Sequence, residues 1–329
     1  MTKFAVIGAG GWGTAMAILL AQRSHEVTLL GHDDAHVSAF CTSRTNLPFL
    51  PGCRVPEEVL ITTDAKRALE GAEHVLSVVP SSYLRKTWEK LAELVPEGAS
   101  ITSLTKGIEN GTSKRPTEII AEYAAGHDLA VLSGPSHAEE AARFMPTTVT
   151  IAAKKSRLAR RLQSEMGTES LRVYTNADVI GVELGGAMKN VIALAAGIVD
   201  GLGFGDNTKA ALLTRGLSEI ITFGHALGAK VKTFHGLAGI GDLITTAFSP
   251  HGRNRAVGER IGRGEKLDEI LASTPKVAEG VPTTRSAHDL AKKLGIEMPI
   301  TTEVYRVLFK NKDPRRAVTE LMTRQGKDE

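Results

Sequence analysis

Gly8-Ala9-Gly10-Gly11-Trp12-Gly13 follows an apolar run at 3–7 and opens a second apolar stretch at 13–20. The spacing is G-x-G-x-x-G, and its place between a strand and a helix gives it chemical meaning. Gly8 permits a tight turn, and Gly10 lets the backbone approach a pyrophosphate. Gly13 lets the helix pack close to the sheet. The N–H groups and positive dipole end at a helix start attract an anion. Trp12 and Gly11 complete the loop. A dinucleotide is the expected ligand.

The second strand ends Leu29-Leu30-Gly31-His32-Asp33-Asp34. An acidic residue at such a strand end hydrogen-bonds a ribose hydroxyl, whereas a cation nearby accommodates a 2′-phosphate. His32 stands near the cationic place, and Asp33 and Asp34 stand near the acidic one. The strand's terminal position is not acidic, so the reading leans slightly to NADPH while keeping both NADP and NAD as cofactors.

A nicotinamide enzyme that reduces a ketone builds negative charge on the carbonyl oxygen, so it needs a placed proton donor and cations. Lys189 lies in Gly185-Gly186-Ala187-Met188-Lys189-Asn190, inside an apolar helical stretch. A lysine there either snorkels to solvent or sits in a lined site. Gly185 and Gly186 lie beside its stem and leave room for another group. Lys106, in Thr105-Lys106-Gly107-Ile108-Glu109, follows a strand and belongs at the sheet's carboxyl edge, where open sheets bind ligands. Ser133-Gly134-Pro135-Ser136 follows the next strand. Gly239-Ile240-Gly241-Asp242 joins glycines to one acid, and Gly252-Arg253-Asn254-Arg255 carries guanidinium forks suited to phosphate. Taken singly, each has an ordinary alternative: a surface lysine, a turn, a helix cap, a solvated basic run.

The elements that must position these groups change character along the chain. Strand-length apolar runs at 4–7, 26–30, 74–79, 100–105 and 129–133 alternate with helical patterns at 13–22 and 84–94. That is the pattern of a parallel sheet covered on both faces. Further strands at 147–153 and 171–174 flank a basic helix at 154–166, read as a solvated face. After about residue 175 the texture is helical, from the apolar 178–199 to a last helix capped by Asp313-Pro314. The expected fold is α/β: an N-terminal Rossmann-type, mostly parallel sheet domain over 1–178, and an all-α substrate and catalytic domain over 179–329.

The 329 residues and 42% hydrophobic content suit two globular domains and exclude disorder as the main state. A net charge of +3 gives no basic stripe for nucleic acid. Cys41 and Cys53 read as free thiols in a reducing compartment, and neither a disulfide scaffold nor a metal site is expected. No uninterrupted apolar segment reaches membrane-spanning length, and Met1-Thr2-Lys3 begins no signal-peptide layout. A cytoplasmic protein without membrane insertion is expected.

Together these residues resemble the NAD(P)-dependent glycerol-3-phosphate dehydrogenases of the soluble bacterial type. The likeness covers essentially the whole chain. It runs through the glycine loop, Val79-Pro80-Ser81, Leu84-Arg85, Lys106-Gly107-Ile108-Glu109, Gly134-Pro135-Ser136 and Glu183-Leu184. It continues through Lys189-Asn190, the block 239–243, Arg253-Asn254-Arg255 and Glu279-Gly280-Val281.

The resemblance implies hydride transfer between NAD(P)H and C2 of dihydroxyacetone phosphate, giving sn-glycerol 3-phosphate for phospholipid synthesis. It makes Lys189 the general acid and base, and puts Lys106 at the substrate–cofactor junction. Asp242 orients Lys189 or the substrate hydroxyls. Arg253 and Asn254 bind the substrate phosphate, with Gly134, Ser136 and Gly252 beside them. Gly8, Gly10, Gly11, Trp12, Gly13, His32, Lys106, Ala138, Arg253, Val277 and Glu279 match cofactor contacts. The family is commonly dimeric, so a homodimer acting on a small phosphorylated substrate is implied.

The chain departs from the family at three places. It has Leu30-Gly31-His32-Asp33 for aromatic-Ala-Arg-Asp, His137 for phenylalanine, and Gly252 for serine. Hydroxyacid dehydrogenases of the 6-phosphogluconate or hydroxyisobutyrate type also pair a dinucleotide domain with a helix-borne lysine. The blocks at 239–243 and 253–255 favour the glycerol phosphate reading. A cofactor-binding protein without turnover would have no use for Lys106, Lys189 and Asp242 together.

Overall fold

The computed structural model describes residues 1–274 and 277–326. The seven runs read as strands, joined by a short further strand β3, form one eight-stranded sheet: β1 (Lys3–Ile7), β2 (Glu26–Leu30), β3 (Leu60–Thr62), β4 (His74–Ser77), β5 (Ser100–Ser103), β6 (Leu129–Ser133), β7 (Thr147–Ala153) and β8 (Leu171–Asn176). Their order is β3-β2-β1-β4-β5-β6-β7-β8. All neighbours are parallel except β6 and β7. The first six strands follow the order of doubly wound dinucleotide-binding sheets, with the reversal between β1 and β4. Ile7 pairs with both Leu30 and Ser77, so the ends of β1, β2 and β4 lie level at that reversal.

Period-two alternation puts neighbouring β1 residues into different cores. Phe4 and Val6 pack with Met16, Leu19 and Leu20 of the helix Gly11–Gln22. Ala5 and Ile7 pack with Leu84 and Trp88 of the helix Ser81–Leu91 on the other face. This explains the unbroken apolar strands. A strand buried on both faces has no place for a polar alternation. β3 escapes a reading of apolar runs because it is three residues long and pairs only along β2 at the sheet edge. β4 and β5 each stop two residues earlier than their apolar runs.

The chain divides into two compact units. The first comprises Met1–Lys106 and Lys114–Glu183, and the second Gly107–Ser113 and Leu184–Glu329. The sequence placed the division at 178/179. The helix Val179–Gly201 begins there, but the units part within that helix, after Glu183. Gly107–Ser113 joins the second unit because the Ser286 hydroxyl donates to the Ile108 carbonyl at 3.1 Å and to Asn110 Oδ1 at 2.5 Å.

Among its described residues the second unit is helical. Val179–Gly201 is long and apolar enough to cross a membrane, yet it is mostly buried inside the protein, as a core helix is. It crosses the helix Arg253–Gly262 at backbone contact. A Cβ on Gly197 would lie 1.9 Å from the Arg255 carbonyl oxygen, and one on Gly258 would lie 2.0 Å from the Leu194 carbonyl oxygen. The pairs Gly197/Gly201 and Gly258/Gly262, each four apart, allow this approach and bring Asn254 to Asn190. The last helix, Pro314–Met322, is capped by the Asp313 carboxylate, which accepts from the Arg316 N–H at 2.8 Å.

Glu219, on the helix Asp206–Ala226, caps another helix, Pro299–Phe309. Its buried carboxylate accepts from the N–H groups of Ile300 and Thr301 and from the Thr301 hydroxyl. Burial pushes this carboxyl from its ordinary 4.5 up to about 7, against the lowering by those donors. The folded chain therefore holds this proton more tightly than the unfolded chain. The resulting stabilisation is complete below 4.5 and lost as pH rises through about 7. Thermal melts across that range should show wild type losing stability relative to Glu219→Gln as pH rises. Parallel pH profiles for the two proteins would remove Glu219 as the cause.

Candidate active site

In the first unit, β1 delivers the chain into the glycine loop and the helix Gly11–Gln22 leaves it, with Gly10 as the residue before the helix. Gly8 has φ +114°, a conformation suited to glycine. A Cβ on Gly13 would lie 1.9 Å from the Gly8 carbonyl oxygen, so only glycine closes this turn. The Gly8 N–H donates to the Leu30 carbonyl at 2.9 Å, tying the loop to the end of β2. Ala138 reaches the same loop, with its Cβ 3.6 Å from where a Cβ on Gly11 would stand. Trp12 is partly buried and packs on the core beneath.

After β2, His32 is exposed. The Asp33 carboxylate accepts from the His36 N–H at 2.6 Å and caps the helix Asp34–Ser43. One of the two acids offered for a ribose hydroxyl thus already has a structural task.

Beyond β5 and β6, Lys106 Nζ donates to the Gly134 carbonyl oxygen at 3.0 Å, and the Ser136 hydroxyl donates to the same oxygen at 2.9 Å. Both segments leave carboxyl ends of parallel strands. The structure therefore gathers Lys106, Gly134 and Ser136 as one group, with an ammonium held at the ligand edge of the sheet. Glu183, which the sequence singled out without a role, is buried. Its carboxylate accepts from the Thr117 N–H at 2.7 Å, the Thr117 hydroxyl at 2.8 Å and Arg115. Burial raises its pKa against the pull of these donors.

In the second unit Lys189 is 7% exposed and Asp242 1%, so the lysine does not snorkel to solvent. Its Nζ donates to Asp242 Oδ1 and, at 2.6 Å, to the Thr246 hydroxyl oxygen. Asp242 and Thr246 lie four apart on the helix Asp242–Phe248 and so share one face. One wide helical turn precedes this helix, with the Gly241 N–H donating to the Gly236 carbonyl at 3.2 Å. The space beside Gly185 is taken by this segment: a Cβ there would lie 2.3 Å from the Ala238 carbonyl oxygen. A buried ammonium with one carboxylate and one hydroxyl is held in place and can pass a proton.

One residue along, the Asn190 side-chain oxygen accepts from Asn254 Nδ2 at 2.9 Å, and Asn254 Oδ1 accepts from the Gly280 N–H at 2.9 Å. An amide NH2 has a second hydrogen to offer a ligand. Gly252 precedes the helix that Arg253 opens. Arg253 is exposed and makes no hydrogen bond or ion pair with the described residues. Val277 and Glu279 lie just before the helix Gly280–Leu294, next to positions outside the described residues. Thr246, Arg115 and Thr117 of these arrangements were not singled out from sequence: Thr246 is marked only by its spacing from Asp242, and Arg115 and Thr117 carry no motif.

Residues 3–159 match the family model described as NAD-dependent glycerol-3-phosphate dehydrogenase N-terminus. Residues 178–319 match the model of the C-terminus of the same family. The chain belongs to this family. A relative from Geobacillus kaustophilus, named glycerol-3-phosphate dehydrogenase (NAD(P)+), is 49% identical over 100% of this chain and 96% of its own length. One of the same name from Citrifermentans bemidjiense is 51% identical over 99% of this chain and 98% of its own. The crystal structure of glycerol-3-phosphate dehydrogenase from Coxiella burnetii superposes with a TM-score of 0.95 at 38% identity, covering 98% and 99% of the two chains. The family's two-part build, a dinucleotide sheet and a helical unit, is the build described above.

Proposed function

We propose that this protein interconverts dihydroxyacetone phosphate and sn-glycerol 3-phosphate with NAD(P)H, supplying glycerol phosphate for phospholipid synthesis. The observation that carries this reading is the buried Lys189–Asp242–Thr246 group in a chain of this family. The glycine loop fits a dinucleotide: its Gly10 N–H donates to no described residue, and a twelve-residue helix starts behind it. Gly8, Gly10, Gly11, Trp12, Gly13, His32 and Ala138 are the contacts proposed in the sheet unit, with Lys106. Arg253, Val277 and Glu279 are those proposed in the helical unit. The bound nicotinamide supplies or takes the hydride at C2.

Lys189 then gives its proton to the C2 oxygen in reduction and takes it back in oxidation. Asp242 and Thr246 hold the ammonium so that the proton leaves along one line. The family resemblance assigns Lys106 to stabilising the negative charge that develops in reduction. Arg253 and an amide hydrogen of Asn254 take the substrate phosphate, and the family resemblance assigns Gly252, Gly134 and Ser136 to substrate binding as well. Their support is residue types matched to the family and, for Lys106, Gly134 and Ser136, one shared hydrogen-bonded group. The same resemblance supports a cytoplasmic homodimer, and the net charge of +3 is compatible with a small anionic ligand and too small to argue for nucleic acid.

A steady-state assay tests the reading. Oxidation of NADPH and NADH is followed with dihydroxyacetone phosphate and with keto acids of the hydroxyisobutyrate type. Turnover confined to dihydroxyacetone phosphate is expected. Turnover of a keto acid alone would overturn it.

A further inference from the structure

Asn46 lies between the helix Asp34–Ser43 and β3, outside any helix or strand, and is completely buried. Its Nδ2 donates to the Ala9 carbonyl oxygen at 2.9 Å and to Thr14 Oγ1 at 2.7 Å. Its Oδ1 accepts from His36 Nε2 at 3.0 Å. Thr14 passes the contact on, since its hydroxyl donates to the Gly10 carbonyl at 2.8 Å. Asn46 thus holds the Ala9 carbonyl directly and, through the Thr14 hydroxyl, braces the Gly10 carbonyl, which also accepts from the Thr14 N–H at 3.0 Å.

The consequence lies in the peptide plane. In a trans peptide the N–H points opposite to its own C=O, and no peptide bond among the described residues is cis. Holding the Ala9 and Gly10 carbonyls toward Asn46 and Thr14 turns the Gly10 and Gly11 N–H groups the other way. Were either peptide to flip, a carbonyl oxygen would face an incoming phosphate and repel it. We propose that Asn46, acting partly through Thr14, is a positioning residue for the dinucleotide: it fixes which edge of these two peptides meets the pyrophosphate. The proposal rests on the dinucleotide reading of the loop.

Asn46→Asp keeps the shape and an acceptor for His36, but sets an oxygen where the donor to Ala9 was. NADPH, NADH and ADP-ribose are titrated calorimetrically onto wild type and variant, and thermal melts are recorded without ligand. The Kd of all three should rise together by about tenfold or more, as misplacement of a binding group does. The KM for dihydroxyacetone phosphate at saturating cofactor should move by less than about twofold, since the phosphate end of the substrate does not use this loop. A lower melting temperature with unchanged Kd would mean that Asn46 only stabilises the fold, and would overturn the proposal. Should Asn46→Asp not fold, Thr14→Val removes the hydroxyl between Asn46 and Gly10 at nearly constant shape. A Kd raised several-fold supports the proposal there, and an unchanged Kd overturns it. Wild type that binds none of the three ligands would overturn the dinucleotide reading as well.

Discussion

Lys189→Ala should lower kcat by about 10²-fold or more, the usual contribution of a placed general acid. Cofactor affinity should persist, because the glycine loop is untouched. The substitution also takes the ammonium away from the Asp242 carboxylate, which is 1% exposed and pairs with Lys189. Removing one member of a buried pair costs about 3–5 kcal/mol, so a lower melting temperature is expected beside the lost turnover. A second variant separates the two effects. Lys189→Met with Asp242→Leu replaces the pair by apolar groups and should recover much of the stability without recovering activity. Turnover returning with stability would show that Lys189 serves the fold alone. The kinetic comparison is made at saturating substrate and cofactor, where kcat is read directly.

Arg253→Ala should act on binding. A hydrogen bond to a charged group contributes about 1.5–3 kcal/mol. At about 1.4 kcal/mol per tenfold, KM for dihydroxyacetone phosphate should rise about 10- to 150-fold. Dihydroxyacetone, which lacks the phosphate, should show little change. Arg253 is exposed and has no partner among the described residues, so its loss should leave the melting temperature nearly unchanged. Arg253→Lys should restore only part of the effect, because an ammonium cannot offer the planar fork. Equal losses for the two ketones would remove Arg253 from the phosphate site.

Much of this was legible in the sequence because its causes are local. Phe4-Ala5-Val6-Ile7 followed by glycines at fixed spacing dictates a buried strand, a turn and a helix start, and the chain forms them. Asp313-Pro314 carries its own cap. The family motifs name Lys106, Lys189 and Asp242 as a set. What stayed hidden depends on partners far along the chain. Nothing near Asn46 indicates that it reaches Ala9 and Thr14, 37 and 32 residues away. Glu219 finds its helix terminus 81 residues later. Gly197/Gly201 and Gly258/Gly262 carried a readable signal, small residues four apart on two helices, but its meaning appears only when the helices cross. The residue-107–113 segment joins the helical unit through Ser286, 178 residues from Ile108.

Transfer of the labelled hydrogen itself bears most directly on the central claim. The protein is supplied with dihydroxyacetone phosphate and NADPH or NADH carrying deuterium at the transferable position, and the product is examined by NMR and against an enantioselective standard. Deuterium at C2 of sn-glycerol 3-phosphate is the expected result, lost in Lys189→Ala along with turnover. Oxidation of the nicotinamide with no deuterium in glycerol 3-phosphate would contradict the account.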